Sequence, residues 1–374
     1  MSTEVALHDP LSARIESFVR DFVRPVSSAM ARGAGPRPKD VVGAAGEAGL
    51  AGILTAPDLG GAGGTHRDFV SFIEAVARED ASTAVILDVH LSVGTEPIIV
   101  FGDDDQKRRY LSRLARGEWL AGFALTEPAG GSDAAALQTR ALRDGDEYVV
   151  SGAKTFITGA GDADVYIVMA RTGEGRDGIS AFIVESRWPG VSAGQPFTKL
   201  GLHGSWTGEV VFDSVRVPAA NRLGDEGKGF RVAMAALDSG RVGISAQAVG
   251  IAQGALDVTV ARARERRAAG REVDEMHLAD MEAWTAASRA LTWHAASMVD
   301  AGQNVTRDAS VAKLYATDAC VSVAHAAVEM CAPDSALDDH PAAVRLRDAK
   351  ACQIYEGTNQ VQRMVIARRL LRVE

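Results

Sequence analysis

A stretch of 114 residues without proline, residues 219–332, is the strongest constraint in this sequence. The twelve prolines of the chain all lie at or before Pro218, or at Pro333 and Pro341. Proline breaks a helix from within, because its ring removes a backbone hydrogen bond and clashes with the preceding turn. So long an interval without it, rich in alanine, arginine and leucine, therefore predicts long helices.

Apolar side chains within this stretch follow the helical repeat. Val242, Val249 and Leu256 recur at multiples of three to four residues, and Gly270 is a credible helix terminator. Four helices packed antiparallel are the economical arrangement for such a segment. The predicted helices span residues 231–267, 276–300, 308–330 and 341–374, the last of them interrupted at Gly357.

The residues between Gly122 and Pro218 follow a shorter pattern. Runs such as 165–169 (VYIVM) and 180–184 (SAFIV) are rich in β-formers, and turn signals of the Asp-Gly and Pro-Gly type separate them. Such runs recur at roughly 10–15-residue spacing with no helix between them, which is typical of an antiparallel barrel or sandwich. The middle of the chain is therefore predicted to be a β-domain.

The first 120 residues return to a helical pattern. Ile15, Phe18 and Phe22 form an amphipathic start, and residues 69–78 and 105–116 are further helix candidates. The sequence thus predicts a multidomain α+β fold. Its predicted parts are an N-terminal α-helical domain at 1–120, a middle antiparallel β-barrel or β-sandwich domain at 121–225, and a C-terminal four-helix bundle at 226–374.

Composition excludes several classes of protein. With 40 basic and 49 acidic residues the net charge is −9, and no basic stripe of the kind that binds nucleic acid is present. No apolar run reaches the roughly 18 residues of a membrane span, and Glu4 and Asp9 precede any hydrophobic stretch, unlike a signal peptide. Three cysteines form no disulfide framework. We expect a cytoplasmic protein without a nucleic-acid or membrane partner.

Neither the histidines nor the main glycine cluster indicates a site. The eight histidines are scattered, without the spacing of metal ligands, so no metal is expected. Residues 59–64 (LGGAGG) do not match the GxGxxG pattern that cradles a phosphate. This cluster is predicted to be a surface loop.

Residues 125–133 (LTEPAGGSD), at the junction of the first helical zone and the β-zone, are a candidate ligand-binding segment. Glycines let backbone N–H groups approach a ligand closely, and Thr126 and Ser132 supply hydroxyls. The alternative is an ordinary turn in which Asp133 caps the next element. Local spacing alone leaves both interpretations open.

A second candidate segment is 353–360 (QIYEGTNQ). Gly357 breaks the helix, and Asn359 with Gln362 resembles a capping box for the next one. Glu356 would then lie at a gap between helices, where a partly desolvated carboxylate with a raised pKa is a good general base. The alternative is a solvated glutamate at a helix end.

Taken in order, five segments of the chain resemble the acyl-CoA dehydrogenase family, and the likeness runs nearly end to end. Two of them resemble the two signatures of that family, and the others match its flavin segment, the end of its β-domain and the start of its long C-terminal helix. Five ordered matches are highly specific. The segments are 125–133, 347–358, 156–158 (FIT), 199–207 with 215–218, and 237–241 (LDSGR).

This resemblance implies that FAD is held between the β-domain and the C-terminal bundle. The segment 125–133 would line the flavin, Thr158 would donate a hydrogen bond near N5, and residues after Gly357 would touch the cofactor from the other side. The cofactor-binding residues so implied are Phe123, Leu125, Thr126, Gly131, Ser132, Phe156, Thr158, Arg266, Thr358 and Gln360.

The reaction implied is α,β-dehydrogenation of an acyl thioester. Glu356 would remove the α-proton while a hydride leaves Cβ for flavin N5, and Arg241 would lie near the base. A minority of the family carries the base just before that arginine, where this chain has Gly240. The implied catalytic residues are Glu356 and Arg241, and the implied substrate-binding residues are Ser132, Leu237, Arg241, Glu356 and Gly357.

The resemblance also implies partners. The substrate would be an acyl-CoA or an acyl-carrier-protein thioester, and an electron-transfer flavoprotein is the acceptor usual in the family. Members are typically tetrameric, so we expect a homotetramer or a homodimer, with a heteromer as the alternative.

Two departures from the family pattern bear on these expectations. The family usually shows RxxFG where this chain retains Arg266 but continues with Ala268-Ala269-Gly270, and QxxGG where residues 329–333 read EMCAP. Both segments normally grip the adenosine-diphosphate half of FAD in a neighbouring subunit, so that grip should be weaker here. The alternatives are a same-fold flavoenzyme that acts on carrier-protein thioesters or in oxygenation, or a half-site subunit of a heteromeric dehydrogenase.

Overall fold

The N-terminal part of the chain is helical in the computed structural model, which describes residues 10–371. Short π-helical turns join α1 to α2, α5 to α6 and α7 to α8. The helices predicted at 69–78 and 105–116 are confirmed by α4 and by the run from α7 to α8. The helices are α1 (Pro10–Phe18), α2 (Arg24–Ala31), α3 (Pro38–Glu47), α4 (His66–Glu79), α5 (Ala81–Val89), α6 (Glu96–Phe101), α7 (Asp104–Gln106) and α8 (Ser112–Ala115).

Helix α4 shows how local sequence sets these boundaries. Thr65 precedes it and accepts a hydrogen bond from the Asp68 N–H at 3.3 Å, while the Asp68 carboxylate accepts one from the Thr65 N–H at 2.7 Å. Phe69 and Phe72 are fully buried on the face that packs against the bundle. The glycine cluster 59–64 lies just before this helix at the surface, which confirms the predicted loop.

The middle of the chain forms one eight-stranded sheet, in the order β6-β7-β3-β2-β4-β5-β8 with β1 beside β4. The predicted β-zone is confirmed, but the sheet is mixed. β1 and one residue of β2 pair with β4 in parallel, because long connections and not hairpins bring them to that strand. The strands are β1 (Ala121–Ala124), β2 (Arg140–Asp144), β3 (Glu147–Thr158), β4 (Val165–Arg171), β5 (Ile179–Glu185), β6 (Val191–Ala193), β7 (Thr207–Pro218) and β8 (Arg222–Leu223).

The proline-free stretch is helical, as predicted. Its first helix is 40 residues long and begins against the sheet, where a Cβ on Gly229 would meet Ser180 Cα at 2.6 Å. It then runs through the bundle and packs against α4 and three later helices. The helices are α9 (Gly229–Ala268), α10 (Glu275–Asp300), α11 (Thr306–Met330), α12 (Pro341–Cys352) and α13 (Asn359–Leu370).

Two helical stretches, Ala81–Phe101 and Gly229–Ala268, are long and apolar enough to cross a membrane by length and composition alone. The expectation that no apolar run reaches this length still holds, because Asp88 and Glu96 interrupt the first stretch, and Asp238 and Arg241 are among the charged residues that interrupt the second. Within their most apolar windows 78% and 72% of the residues are buried inside the protein. Both stretches form part of the hydrophobic core.

Close packing of α4 on α9 depends on glycine. A Cβ on Gly250 would lie 2.6 Å from Ala77 Cβ and 2.9 Å from Arg78 N, closer than such atoms approach one another. Gly250→Ala is therefore expected to destabilise the fold by about 1–3 kcal/mol, although alanine is the better helix former by about 1 kcal/mol. Chemical denaturation measures this difference.

The matched control is Ala283→Gly on the exposed face of α10, which should cost about 1 kcal/mol through helix propensity alone. A Gly250→Ala variant more stable than the wild type would contradict the close contact between α4 and α9.

Candidate active site

Glu356 lies in the turn between α12 and α13, where the backbone changes direction twice. Glu356 has φ of 55° and Gly357 has φ of 89°, so both are in the left-handed region. Glycine adopts that region freely, whereas a side chain there costs of order 1 kcal/mol or more. This conformation turns the Glu356 carboxylate towards α9.

The carboxylate of Glu356 meets α9 at a glycine. A Cβ built on Gly240 would lie 2.7 Å from Glu356 Cδ, so a larger residue at that position would displace the carboxylate. Both carboxylate oxygens are buried and have no hydrogen-bond partner among residues 10–371. Burial raises the pKa of Glu356 to about 7, and the positive charges of Lys313 and Arg241 oppose the rise.

Lys313 fixes the turn from the side of α11. Its buried ammonium donates to Gly357 O at 3.0 Å and to Asn359 Oδ1 at 2.8 Å. Gln362 Nε2 donates to the same Gly357 O at 2.8 Å and to Glu356 O at 3.3 Å. Burial lowers the pKa of Lys313 to about 8, so the group still carries most of its charge at neutral pH. The turn that holds the carboxylate is thus anchored at its carbonyl groups.

The predicted capping box at the start of α13 is wrong. Thr358 caps the helix, because its hydroxyl accepts a hydrogen bond from Val361 N–H at 3.3 Å. The Asn359 side chain instead donates to Thr317 Oγ1 at 2.9 Å and to Asp318 Oδ1 at 2.7 Å. Tertiary contacts with α11 outcompete the local pattern at this residue.

Arg241 is the second cation near the carboxylate. Its Nη1 donates to Asp238 Oδ1 at 2.6 Å, and the other oxygen of Asp238 accepts from Thr306 Oγ1 at 2.6 Å. Burial lowers the pKa of Arg241, and the charges of Asp238 and Glu356 oppose that shift. Its Nε is buried without a partner in the described part of the chain. The guanidinium is therefore held beside the base and keeps one donor group free.

On the β-domain side, a buried ion pair orders the segment 125–133. The Glu127 carboxylate accepts from Lys154 Nζ at 2.8 Å and from Thr139 N–H at 2.9 Å. The same ammonium donates to Leu125 O at 3.0 Å. Both side chains are buried, so each depends on the other for charge compensation. Asp133 accepts from Ala135 N–H at 3.2 Å, which confirms that it caps the turn.

Phe156 presents an exposed aromatic face beside this segment. It lies at an irregularity in the pairing of β3 with β7, has φ of 57°, and leaves 67% of its surface exposed. Its ring centroid is 5.4 Å from that of Phe197. A strained, exposed aromatic residue on a strand is the kind of surface that a flat ring system covers. These residues fit the flavin that the resemblance implies.

The remaining predicted residues lie within a few positions along the chain of those just described, with one exception. Thr158 ends β3, Leu237 is on α9 one turn before Gly240, and Ser132 is exposed in its loop. Arg266 lies near the far end of α9, about 39 Å along the helix from Gly240 at 1.5 Å per residue. Those near in sequence are Phe123, Leu125, Thr126, Gly131, Ser132, Thr158, Leu237, Thr358 and Gln360.

Sequence reasoning missed Lys313 and the Glu127–Lys154 pair. The sequence does contain a signal for Lys313. It is a single lysine on a face of α11 that otherwise consists of small apolar residues such as Ala309 and Ala316. A charged residue on the buried face of a helix needs a partner, and here that partner is the Glu356 turn.

The raised pKa of Glu356 predicts a pH-dependent cost to stability. A carboxyl whose pKa is higher in the folded state, about 7 against 4.5, stabilises the fold below the lower value and loses that contribution as pH rises through 7. Glu356→Gln should therefore gain about 3 kcal/mol of unfolding free energy relative to the wild type between pH 4 and pH 8. Denaturant titrations at both pH values measure it. A pH-independent difference would contradict the burial of this carboxylate.

Comparison with known proteins identifies the family. Models of the acyl-CoA dehydrogenase N-terminal, middle and C-terminal domains match residues 7–118, 122–215 and 227–371. An acyl-CoA dehydrogenase from Bacillus subtilis (strain 168) is 44% identical over 368 residues, which are 96% of this chain and 97% of that protein.

Comparison with solved structures supports the same family. Butyryl-CoA dehydrogenase from Megasphaera elsdenii has a TM-score of 0.92 and 37% identity, covering 98% of this chain and 99% of its own. A chain from a study of the electron transferring flavoprotein of Acidaminococcus fermentans has a TM-score of 0.94 and 38% identity, covering 97% of both chains. The family and its structural neighbours are FAD flavoproteins. This chain belongs to the acyl-CoA dehydrogenase family and is an FAD-dependent oxidoreductase.

Proposed function

We propose that this enzyme desaturates a short-chain acyl-CoA between Cα and Cβ, with Glu356 as the base that removes the α-proton. The observation that carries the proposal is the Glu356 carboxylate itself, which is buried, has no hydrogen-bond partner among the described residues and has a pKa near 7. A base with a pKa near the working pH combines a useful ionised fraction with real affinity for a proton.

The residues around Glu356 suit proton transfer. Lys313 and Arg241 hold part of the carboxyl population ionised, yet neither forms an ion pair with it in the described part of the chain, so its oxygens stay available. The Cα–H bond would break with its proton going to Glu356, and its electrons would form the C=C bond. Bound FAD would supply the acceptor for the hydride that leaves Cβ.

The acidity of the α-proton must be raised for this step. Negative charge develops on the thioester oxygen as the proton leaves, and a backbone N–H aimed at that oxygen can contribute several kcal/mol. The Glu356 N–H makes no backbone hydrogen bond within residues 10–371. We assign it to the thioester oxygen, so one residue supplies both the base and an oxyanion donor.

The cofactor would be held on both sides by this chain. Phe156 would lie against the isoalloxazine, and Thr126, Ser132 and Thr158 would supply polar groups around it. The N-terminus of α13 with Thr358 and Gln360 would face it from the bundle, where helix N–H groups favour a negatively charged group.

The relatives support a proposal for the substrate size and the electron acceptor. The Megasphaera elsdenii enzyme acts on butyryl-CoA by its name, which supports a short acyl chain here. The neighbour from the electron transferring flavoprotein study supports an electron-transfer flavoprotein as the redox partner. A purely structural half-site subunit would not need a buried base, so Glu356 favours an active enzyme. The cytoplasmic location remains a prediction.

The substitution Glu356→Gln tests the base. It keeps the size of the side chain but removes its proton affinity, so the purified variant should remain yellow while anaerobic butanoyl-CoA no longer bleaches its flavin band. Loss of general-base catalysis alone usually costs on the order of 10²–10⁴ in rate. Stopped-flow absorbance of wild type and variant measures this.

A relocation variant serves as the matched control. Because Gly240 faces the Glu356 carboxylate, Glu356→Gly combined with Gly240→Glu places a carboxylate back in the same space. We expect it to recover part of the bleaching rate. Bleaching at the wild-type rate by Glu356→Gln alone would show that another group removes the proton.

A further inference from the structure

A second buried carboxyl lies beside the proposed base. Asp88, on α5, is fully buried, and it is the one ionisable residue in that otherwise apolar and small-residue helix. Its Oδ1 accepts a hydrogen bond from Ser92 Oγ at 3.0 Å, whereas its Oδ2 has no partner among residues 10–371. An unpaired buried carboxyl oxygen is costly, so its retention indicates a partner that the described residues do not supply.

Helix α9 places the two carboxyls next to each other. A Cβ on Gly240 would meet Glu356 Cδ at 2.7 Å, and a Cβ on Gly243 would meet Asp88 Cγ at 2.8 Å. Residues three apart on a helix share one face, with Cβ positions about 5–6 Å apart. Asp88 is therefore about one helical turn along α9 from the base. Phe69 Cζ, 2.8 Å from the same Gly243 position, forms an apolar wall beside it.

The cations near the base do not compensate Asp88. Arg241 is paired with Asp238, Lys313 is bound to Gly357 O and Asn359, and no ion pair to Asp88 occurs in the described part of the chain. The pKa of Asp88 is raised well above its usual range by burial and by the charge of Glu356, which is consistent with an uncompensated group.

A comparison within α5 shows what is unusual about Asp88. Asp80, which precedes the same helix, is also buried, but its carboxylate caps the helix by accepting from Thr83 N–H at 2.5 Å. Each carboxyl thus has one oxygen with a structural partner, but only Asp88 leaves its other oxygen both buried and without a partner within residues 10–371. A site for a purely hydrocarbon acyl chain would not contain a group of this kind, because desolvating it against methylene groups is unfavourable.

We propose that Asp88 binds a hydrogen-bond donor carried by the acyl chain beyond its β-carbon, so that the substrate is a polar acyl thioester bearing a hydroxyl or ammonium group. This inference rests on the proposed function, since it requires the α-carbon of an acyl thioester at Glu356. The donor satisfies Asp88 Oδ2, and an ammonium group would in addition favour the ionised form of that carboxyl. Asp88 is thus a specificity-determining residue, and Glu356 remains the base.

The test compares three thioesters that differ in one terminal group. They are 4-hydroxybutanoyl-CoA, 4-aminobutanoyl-CoA and pentanoyl-CoA. The amino thioester is kept in acid until mixing, because its free amine attacks the thioester and closes to a five-membered lactam. For the wild type, kcat/KM is measured from initial rates of reduction of an artificial electron acceptor. At least one polar substrate should exceed pentanoyl-CoA by roughly tenfold to a hundredfold, because the methyl group leaves the Asp88 carboxyl unpaired. The arm with the larger ratio identifies the donor as hydroxyl or ammonium.

Variants at Asp88 link the preference to this side chain. Asp88→Leu should reverse the ratio in favour of pentanoyl-CoA. Asp88→Asn, which keeps size and an acceptor oxygen, should retain a preference for the hydroxyl and lose one for the ammonium group. The Asp88→Asn variant also keeps the test valid if Asp88→Leu does not fold. Asp80→Asn is the matched control and should keep the wild-type ratio.

Two results would overturn the proposal. In the first, the wild-type kcat/KM for pentanoyl-CoA equals or exceeds the values for both polar substrates, while butanoyl-CoA still bleaches the flavin. This result refutes the role of Asp88 and leaves the proposed function standing. The other is an unchanged ratio in both Asp88 variants. If none of the four thioesters bleaches the flavin, the proposed function fails and the role of Asp88 fails with it.

Discussion

The burial of one carboxylate, that of Glu356, is the constraint on which the rest of this site depends. A carboxylate without hydrogen bonds is tolerated only where nearby charge limits its cost. Arg241 and Lys313 provide that charge. Each is hydrogen-bonded to other residues, so neither forms an ion pair with the Glu356 carboxylate oxygens. The result is a carboxyl poised near neutral pH and open to a substrate.

Helix α9 is the frame that positions this chemistry. Its length follows from the absence of proline, and its glycines mark where other groups approach it: Glu356 at Gly240, Asp88 at Gly243 and α4 at Gly250. Across from it, the Glu127–Lys154 pair holds the loop that would face the flavin. The helix thus lies against the base, and the sheet carries the surface that would face the cofactor.

Much of this could be predicted from sequence, for physical reasons that also explain the failures. Proline avoidance and helical periodicity are local properties, so the bundle helices were predicted within a few residues, and the break at Gly357 located Glu356. The capping role of Asn359 was wrong because its amide finds partners on α11. The parallel pairing of β1 with β4, and the burial of Lys313 and Asp88, depend on contacts between distant segments that no local pattern records.

The most direct test of the central claim is exchange of the substrate α-proton in deuterated water. With 3-thiabutanoyl-CoA, which has sulfur in place of Cβ and cannot lose a hydride, NMR follows deuterium entering Cα on the FAD-loaded enzyme without turnover. If Glu356 is the base, the wild type exchanges this position and Glu356→Gln does so at least about 10²-fold more slowly. Exchange at the wild-type rate in Glu356→Gln would contradict the assignment of the buried carboxylate as the base.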